Sequence, residues 1–306
     1  MKAIQIIQTK YLRVFSILGN HNVIALIALI QIGAATRVME AGLACPDWPL
    51  CYGSLLPLSH MNLRVFLEWF HRLDAFLVGI LIFSQFILSI LWRNFVPNWL
   101  PKIYSLLLFL VILQGSFGAI TVLNLLDSYT VSAHLLIAFL LLITSIFINQ
   151  KLKKNFFKKF IFTGKYFLLI PLLLTIIQSS IGVRLSTTWS AHLCLAFNDK
   201  CYLLNAHKLF AIPLVISIIC LIIVSIFQKN FLKNWKLFMI LALLISYQVT
   251  LGFLSLKFQL NEPLIIVGHQ LGSSLLVAFL TFLIFENSNQ SNLNTSSNEI
   301  FAGINL

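Results

Sequence analysis

The chain has 306 residues, of which 59% are hydrophobic and 10% charged, with a formal net charge of +12 and a mean hydropathy of +0.93. A soluble domain carries about 25% charged residues. A water-soluble globule is therefore excluded, and with it a disordered chain, a nucleic-acid binder and a small disulfide-stapled protein. The apolar runs are too long for barrel strands and predict an all-α integral membrane protein.

Eight spans are expected, at roughly Ile17–Thr36, Phe66–Leu91, Ile103–Leu123, Val131–Ile148, Tyr166–Leu185, Leu203–Ile226, Leu237–Leu256 and Leu264–Phe285. Each approaches the ~20 residues that cross a bilayer core. The first lacks a small-residue cleavage pattern and runs on to Arg37, so it is read as a span and not as a signal peptide. With a cytoplasmic N-terminus, 14 of the 21 basic residues fall inside, and the run KLKKNFFKKF at 151–160 is the densest group. Seven of the nine acids fall on the outer half: Glu40, Asp47, Glu68, Asp74, Asp127, Asp199 and Glu262. The basic excess is thus an insertion signal and not a ligand signal. Both termini are expected in the cytoplasm of a bacterial inner membrane. The tail 287–306 is rich in Asn and Ser and is expected to be unstructured.

Polar landmarks recur along the chain. Gln31–Arg37 matches Gln178–Arg184, and His71-Arg72-Leu73 matches His207-Lys208-Leu209. Gln114–Gly118 matches Gln248–Gly252, and His134 matches His269. Chance similarity among apolar helices is the competing reading, but four landmarks in one order favour a repeat. The expected architecture is two parallel four-helix bundle repeats, residues 1–150 and 151–286, related by an axis along the membrane normal.

Histidine in a membrane helix is costly and marks function by default. His71, His134, His207 and His269 are expected near the outer ends of the second, fourth, sixth and eighth spans. His21, His60 and His192 are expected at termini or in loops. Within each half, two imidazoles at similar depth could grip one metal from opposite sides. In a bundle without soft ligands the fitting guest is a heme. A structural histidine is the bland alternative, and zinc fits less well because no closed four-ligand set is in view. Arg72, Lys208, Arg37 and Arg184 either hold heme propionates or snorkel to the head groups.

Cys45 and Cys51 lie in one outer loop, Cys194 and Cys201 in another. On an oxidising face two disulfides follow, Cys45–Cys51 and Cys194–Cys201, with stapling as the default role and redox exchange as the minority reading for the first. Cys220 is expected to fill apolar packing. The halves differ at Glu68, three residues before His71, where the second half has Leu204. A carboxyl in a membrane helix needs a purpose, and Glu68 is a candidate proton donor or acceptor. By this asymmetry the first half does chemistry and the second holds a permanent cofactor.

The segments GAATRVMEAGLACPDWPLCYG, EWFHRLDAF, VSAHLLIAF, LNAHKLF and VGHQLGSSL resemble the heme A synthases, in the branch with paired outer-loop cysteines. The resemblance runs from Gln31 to the end of the eighth span. It implies oxygen-dependent oxidation of a ring methyl of heme O, through hydroxylated intermediates, to the formyl group of heme A, for aa3-type terminal oxidases. It implies His71 and His134 as ligands of the substrate heme, Glu68 beside the reacting edge, and His207 and His269 as ligands of a resident heme b. It links the Cys45/Cys51 pair to activity and the Cys194/Cys201 pair to structure. The electron donor has no sequence trace, and heme O synthase is a partner by pathway logic only. Two competing functions are a di-heme b electron carrier, which leaves Glu68 unexplained, and a quinone-linked thiol oxidoreductase, which leaves the histidines unexplained.

Overall fold

The computed structural model describes residues 2–152, 165–199, 201–228 and 231–302. Its helices are α1 (Lys2–Val38), α2 (Leu63–Leu91), α3 (Trp99–Leu123), α4 (Ser128–Leu152), α5 (Leu169–Thr187), α6 (Ser190–Phe197), α7 (Cys201–Ile226), α8 (Phe231–Lys257) and α9 (Pro263–Ala302). All but α6 are long and apolar enough to cross a membrane, and among the described residues no strand forms. The chain is a multi-pass membrane protein. The expected spans agree with the helices to within a few residues, except that α1 begins well before Ile17 and α9 runs well past Phe285.

Local chemistry sets the boundaries. The side chain of Asn62 accepts the N–H groups of Arg64 and Val65 at 3.0 and 3.1 Å and starts α2. Asp127 does the same for Tyr129 and Thr130 and starts α4. Both satisfy donors that a helix leaves unpaired at its N-terminus. The α3–α4 and α8–α9 turns share one conformation. Leu125 and Leu126 have φ of 52° and 62°, as do Gln259 and Leu260. In both turns the second of these residues donates its N–H back into the preceding helix at 2.8 Å, Leu126 to Thr121 and Leu260 to Ser255.

In the first half α1 packs on α2 and α4, and α3 packs on the same two. In the second, α5 and α8 each pack on α7 and α9. Each set closes a ring of four helices, in which α2 stands diagonal to α4 and α7 diagonal to α9. The rings meet through α1, α4, α5 and α9. The most enclosed of the membrane-spanning helices is α4, and α3 is the least. Phe76, Phe109, Ile112, Leu209, Leu243 and Phe253 point outward, as lipid-facing side chains do. Lipid is as apolar as the core, so packing and polar contacts hold such helices together. Asn22 and Gln85 supply one such contact, a reciprocal amide pair at 2.8 and 3.1 Å that joins α1 to α2.

The sequence gives no hint of α6, which carries Cys194 and follows a left-handed Trp189. His21 lies inside α1 and not at its terminus, and Cys220 is exposed on α7 and not packed. Most of the lysine run, residues 153–160, lies outside the described residues. The apolar span of α9 ends at Glu286, but the helix continues to Ala302 over much of the tail expected to be unstructured. Extending a formed helix needs no new nucleus.

Candidate functional site

His134, His207 and His269 each stand six residues into their helices, and His71 eight residues into α2. All four are part-buried. Each ring rests against a glycine five residues before the end of the preceding membrane-spanning helix. A Cβ added at Gly33, Gly118, Gly182 or Gly252 would lie 3.1, 3.4, 3.0 or 3.0 Å from Cε1 of His71, His134, His207 or His269. The bare helix backbone is what lets each imidazole turn inward. The sequence signal for these seats is present but offset: Gly33 lies four residues before Arg37, and Gly182 lies two before Arg184. Aligning glutamine and arginine therefore hides the match between the glycines. Gln31 and Gln178, paired by that alignment, make different contacts: Gln31 donates to Ser274 Oγ at 3.1 Å, and Gln178 to the His207 carbonyl at 2.7 Å.

The rings of His207 and His269 come together across the second ring of helices, with centroids 6.3 Å apart and planes 71° apart. Two imidazoles bound end-on to one metal through bonds of about 2.0 Å have ring centres roughly 6.2 Å apart. The pair fits that arrangement, and its ring planes can rotate about the shared axis. His269 Nδ1 donates to the Gln248 carbonyl at 3.0 Å. A carbonyl can only accept, so this bond puts the proton on Nδ1 and leaves Nε2 with the lone pair a metal needs. His71 and His134 are close enough to interact electrostatically. Among the described residues the buried Nδ1 atoms of His71, His134 and His207 have no partner in full hydrogen-bond geometry. Among the described residues no three His, Cys, Asp or Glu converge on a common point. The donor set of each half is therefore two imidazoles, which suits a heme.

The four cations divide unexpectedly. Arg72 is engaged through both terminal nitrogens: Nη2 meets Glu68 Oε1 at 2.5 Å, and Nη1 donates to the carbonyls of Asp47 and Leu50, both at 2.6 Å. Its counterpart Lys208 is exposed and forms no ion pair among the described residues. Arg37 and Arg184 each bury an Nε that has no hydrogen-bond partner among the described residues. The guanidinium of Arg184 also stacks 4.4 Å from the ring of Tyr129 at the start of α4. The buried, unpaired donors thus belong to Arg37 and Arg184.

Glu68 is 3% exposed, and both of its oxygens are bonded. Oε2 accepts the Cys45 N–H at 2.8 Å, opposite the contact of Oε1 with Arg72. The loop above is a built unit. Cys45 and Cys51 are bridged with Cα atoms 4.8 Å apart, and Asp47 accepts the N–H groups of Tyr52 and Gly53 at 2.6 and 2.8 Å. Trp69 Nε1 donates to the Leu55 carbonyl at 2.6 Å. Glu68, Trp69 and Arg72 thus clamp the loop to α2 on either side of His71. The sequence reading missed this clamp, although Glu68 and Arg72 stand four apart on one helix face. In the second half Cys194 and Cys201 are bridged, but Leu204 and Lys208 offer no equivalent clamp. Of the remaining histidines, His60 stacks on Tyr52 at 4.0 Å, and His192 lies in α6 beside Trp189 at 4.9 Å.

The chain is 33% identical over 130 residues to a heme A synthase of Shewanella oneidensis, covering 37% of this chain and 38% of that protein. It is 31% identical over 168 residues to a heme A synthase of Bradyrhizobium diazoefficiens, covering 44% and 46%. It is 32% identical over 78 residues to a protoheme IX farnesyltransferase of Haloarcula marismortui, covering 26% and 16%. The matched stretches span less than half the length of each relative. The profile of the cytochrome oxidase assembly proteins (COX15-CtaA) matches residues 17–281, which include all four glycine-seated histidines and both disulfides. The chain belongs to that family.

Proposed function

We propose that this protein is a heme A synthase, which oxidises a ring methyl of heme O with molecular oxygen, by way of hydroxylated intermediates, to the formyl group of heme A. The observation that carries the reading is the recurrence of two inward-turned imidazoles in each half, each seated on a helix glycine. The heme A synthases among its relatives support it. His71 and His134 hold the substrate heme in the N-terminal half, residues 1–150. His207 and His269 hold a resident heme b in the C-terminal half, residues 151–286. The two halves are parallel repeats of one four-helix template. Arg37 and Arg184, with buried Nε donors to spare, bind propionates. Lys208 snorkels, and Arg72 is committed to the loop.

Bound heme iron supplies the redox chemistry, and the chain supplies position and proton handling. Glu68 is the functional carboxylate of the first half. Its two bonds mean that it acts while tied to the Cys45–Cys51 loop, so loop placement and proton handling are one device. The protein sits in a bacterial inner membrane with both termini cytoplasmic and both histidine pairs near the outer face. The enzyme that makes heme O is its natural neighbour by the order of the chemistry.

The test is expression in cells that make heme O, followed by heme extraction and chromatography. Heme A or a hydroxylated precursor above a no-enzyme control is expected. Its absence from a chain that carries heme b would favour the electron-carrier reading instead.

A further inference from the structure

From Trp48 to Leu63 the loop before α2 runs for sixteen residues without an Asp, Glu, Lys or Arg, and five of them are leucines. Surfaces that face water carry about 25–35% charged residues. Leu55 and Leu58 are 84% and 72% exposed, with Leu56, Leu63, Phe66 and Phe70 exposed beside them. Phe66 and Phe70 stack with centroids 5.5 Å apart. They open a stripe that continues along α2 through the exposed Leu73, Leu77 and Ile80, at the spacing of one helix face. Trp69 ties the loop tip to this flank through the Leu55 carbonyl at 2.6 Å. The tip also closes its own backbone. The Leu56 carbonyl accepts the Leu58 N–H at 2.9 Å, that of Pro57 the His60 N–H at 3.1 Å, and that of Leu58 the Met61 N–H at 3.4 Å. Ser54 Oγ accepts the Leu56 N–H at 3.2 Å. In water such groups find partners anyway, but against hydrocarbon they must be paired within the chain. The charges that flank the stretch are engaged as well, Asp47 with the N–H groups of Tyr52 and Gly53, and Arg64 with Glu40. The second disulfide loop repeats the pattern. Residues 185–198 carry no charge, and α6 turns Ser190 and Ala191 inward while Leu195 and Phe197 stay exposed. Trp48, Tyr52, Trp189 and Tyr202 are exposed on the same two loops, the residue types that mark a membrane surface.

We infer that the Leu55–Leu58 tip is a lipid-binding surface, seated at the boundary of head groups and acyl chains beside α2, and that the bilayer holds the Cys45–Cys51 loop down on Glu68 and Arg72. The occupant is lipid because the tip is continuous with the apolar stripe of a membrane-spanning helix, and a protein seated on the tip would have to strip lipid from that stripe. Lifting the loop would move its leucines from acyl chains into water, which opposes opening. Cys45 and Cys51 are each 1% exposed, packed with Val65 under Met61 and Trp69. A reductant dissolved in water therefore reaches the disulfide only when the loop lifts. The inference does not depend on what the histidines bind.

The test uses the full-length protein, one chain per lipid nanodisc. An apolar fluorescent amino acid is placed at position 58. The same label at position 76, on the lipid-facing side of α2, and at position 261, in the exposed turn between α8 and α9, gives the two references. Quenching is measured with lipids brominated on their acyl chains and with iodide in the water. Position 58 should be quenched by the brominated lipids nearly as strongly as position 76, and be shielded from iodide. Leu58→Asp should speed the reduction of Cys45–Cys51 by a water-soluble phosphine about tenfold, the weight of one leucine side chain taken out of apolar surroundings. Leu264→Asp, which puts the same charge on an 86% exposed leucine at the start of α9, should leave that rate unchanged. Should Leu58→Asp fail to fold, the quenching decides, since it keeps an apolar side chain at position 58. Iodide quenching at position 58 as strong as at position 261 would overturn the inference and make the tip a face for water or a protein partner. A wild-type reduction rate in folded Leu58→Asp, or an equal acceleration in Leu264→Asp, would overturn the hold of lipid on the loop.

Discussion

The imidazole of His207 lies so near Gly182 that a methyl group on that glycine would come within 3.0 Å of its Cε1. Few real contacts are that short, and the neighbour here is a ring whose orientation matters. Gly182→Ala should therefore turn His207 away from His269, and Gly252→Ala should do the same to His269 from the other side. Residues that orient a metal ligand are worth about 10- to 100-fold in affinity. Each substitution should weaken heme retention in the second half on the order of tenfold, read by pyridine hemochrome after transfer to an apoprotein acceptor. Gly79→Ala is the control, because its Cβ would meet only Val111, at 3.6 Å. An equal loss in the control would mean that helix packing in general, and not the imidazole seat, controls heme.

Glu68 and Arg72 should behave as one unit. Glu68→Leu leaves a guanidinium that is 14% exposed without its carboxylate, and Arg72→Met leaves Glu68 with only the Cys45 N–H. Breaking a buried pair from one side costs about 3–5 kcal/mol, whereas replacing both partners by apolar groups can be nearly neutral. The double variant should therefore be more stable than the sum of the singles implies. Thermal unfolding, together with the rate of Cys45–Cys51 reduction by dithiothreitol, measures this. In turnover, Glu68→Ala should abolish heme conversion and leave the second-half heme spectrum intact. Loss of the second-half heme would reverse the assignment of the halves.

The spans were legible because apolar length is a one-dimensional signal; the caps Asn62 and Asp127, which start α2 and α4 a few residues before the apolar runs, went unread. The histidines were legible because intramembrane histidine is rare. The contacts around them were not. A glycine seat depends on which helix faces which, and two residues of offset between Gly33 and Gly182 conceal its recurrence. Arg72 reads as a rim cation in sequence, because nothing there reveals that the loop at Asp47 and Leu50 folds back onto it. The loop helix α6 has eight residues, and propensity over so short a stretch is a weak guide.

The two disulfides should differ in consequence. Each closes a short loop, with sequence separations of 6 and 7, for which chain entropy alone gives about 2–3 kcal/mol. Replacing Cys194 and Cys201 by serine should lower the melting temperature but leave turnover within twofold. Replacing Cys45 and Cys51 by serine should cost turnover as well, since that loop carries the Cys45 N–H bonded to Glu68 and the carbonyls bonded to Arg72. Equal turnover in the two double variants would separate the loop from the chemistry.

The cations give the sharpest contrast with expectation from sequence. Hydrogen bonds to a charged group are worth about 1.5–3 kcal/mol, so losing one propionate contact corresponds to roughly tenfold or more in heme affinity. Arg184→Ala removes a buried donor and the contact with Tyr129, and should weaken second-half heme retention by that factor. Arg37→Ala should do the same for the first half. Lys208→Ala removes an exposed amine and should change retention less than twofold. Hemin titration of the three variants ranks them directly. If Lys208→Ala loses as much heme as Arg184→Ala, the propionates lie at the exposed rim, and the buried guanidinium of Arg184 serves the junction between α4 and α5 instead.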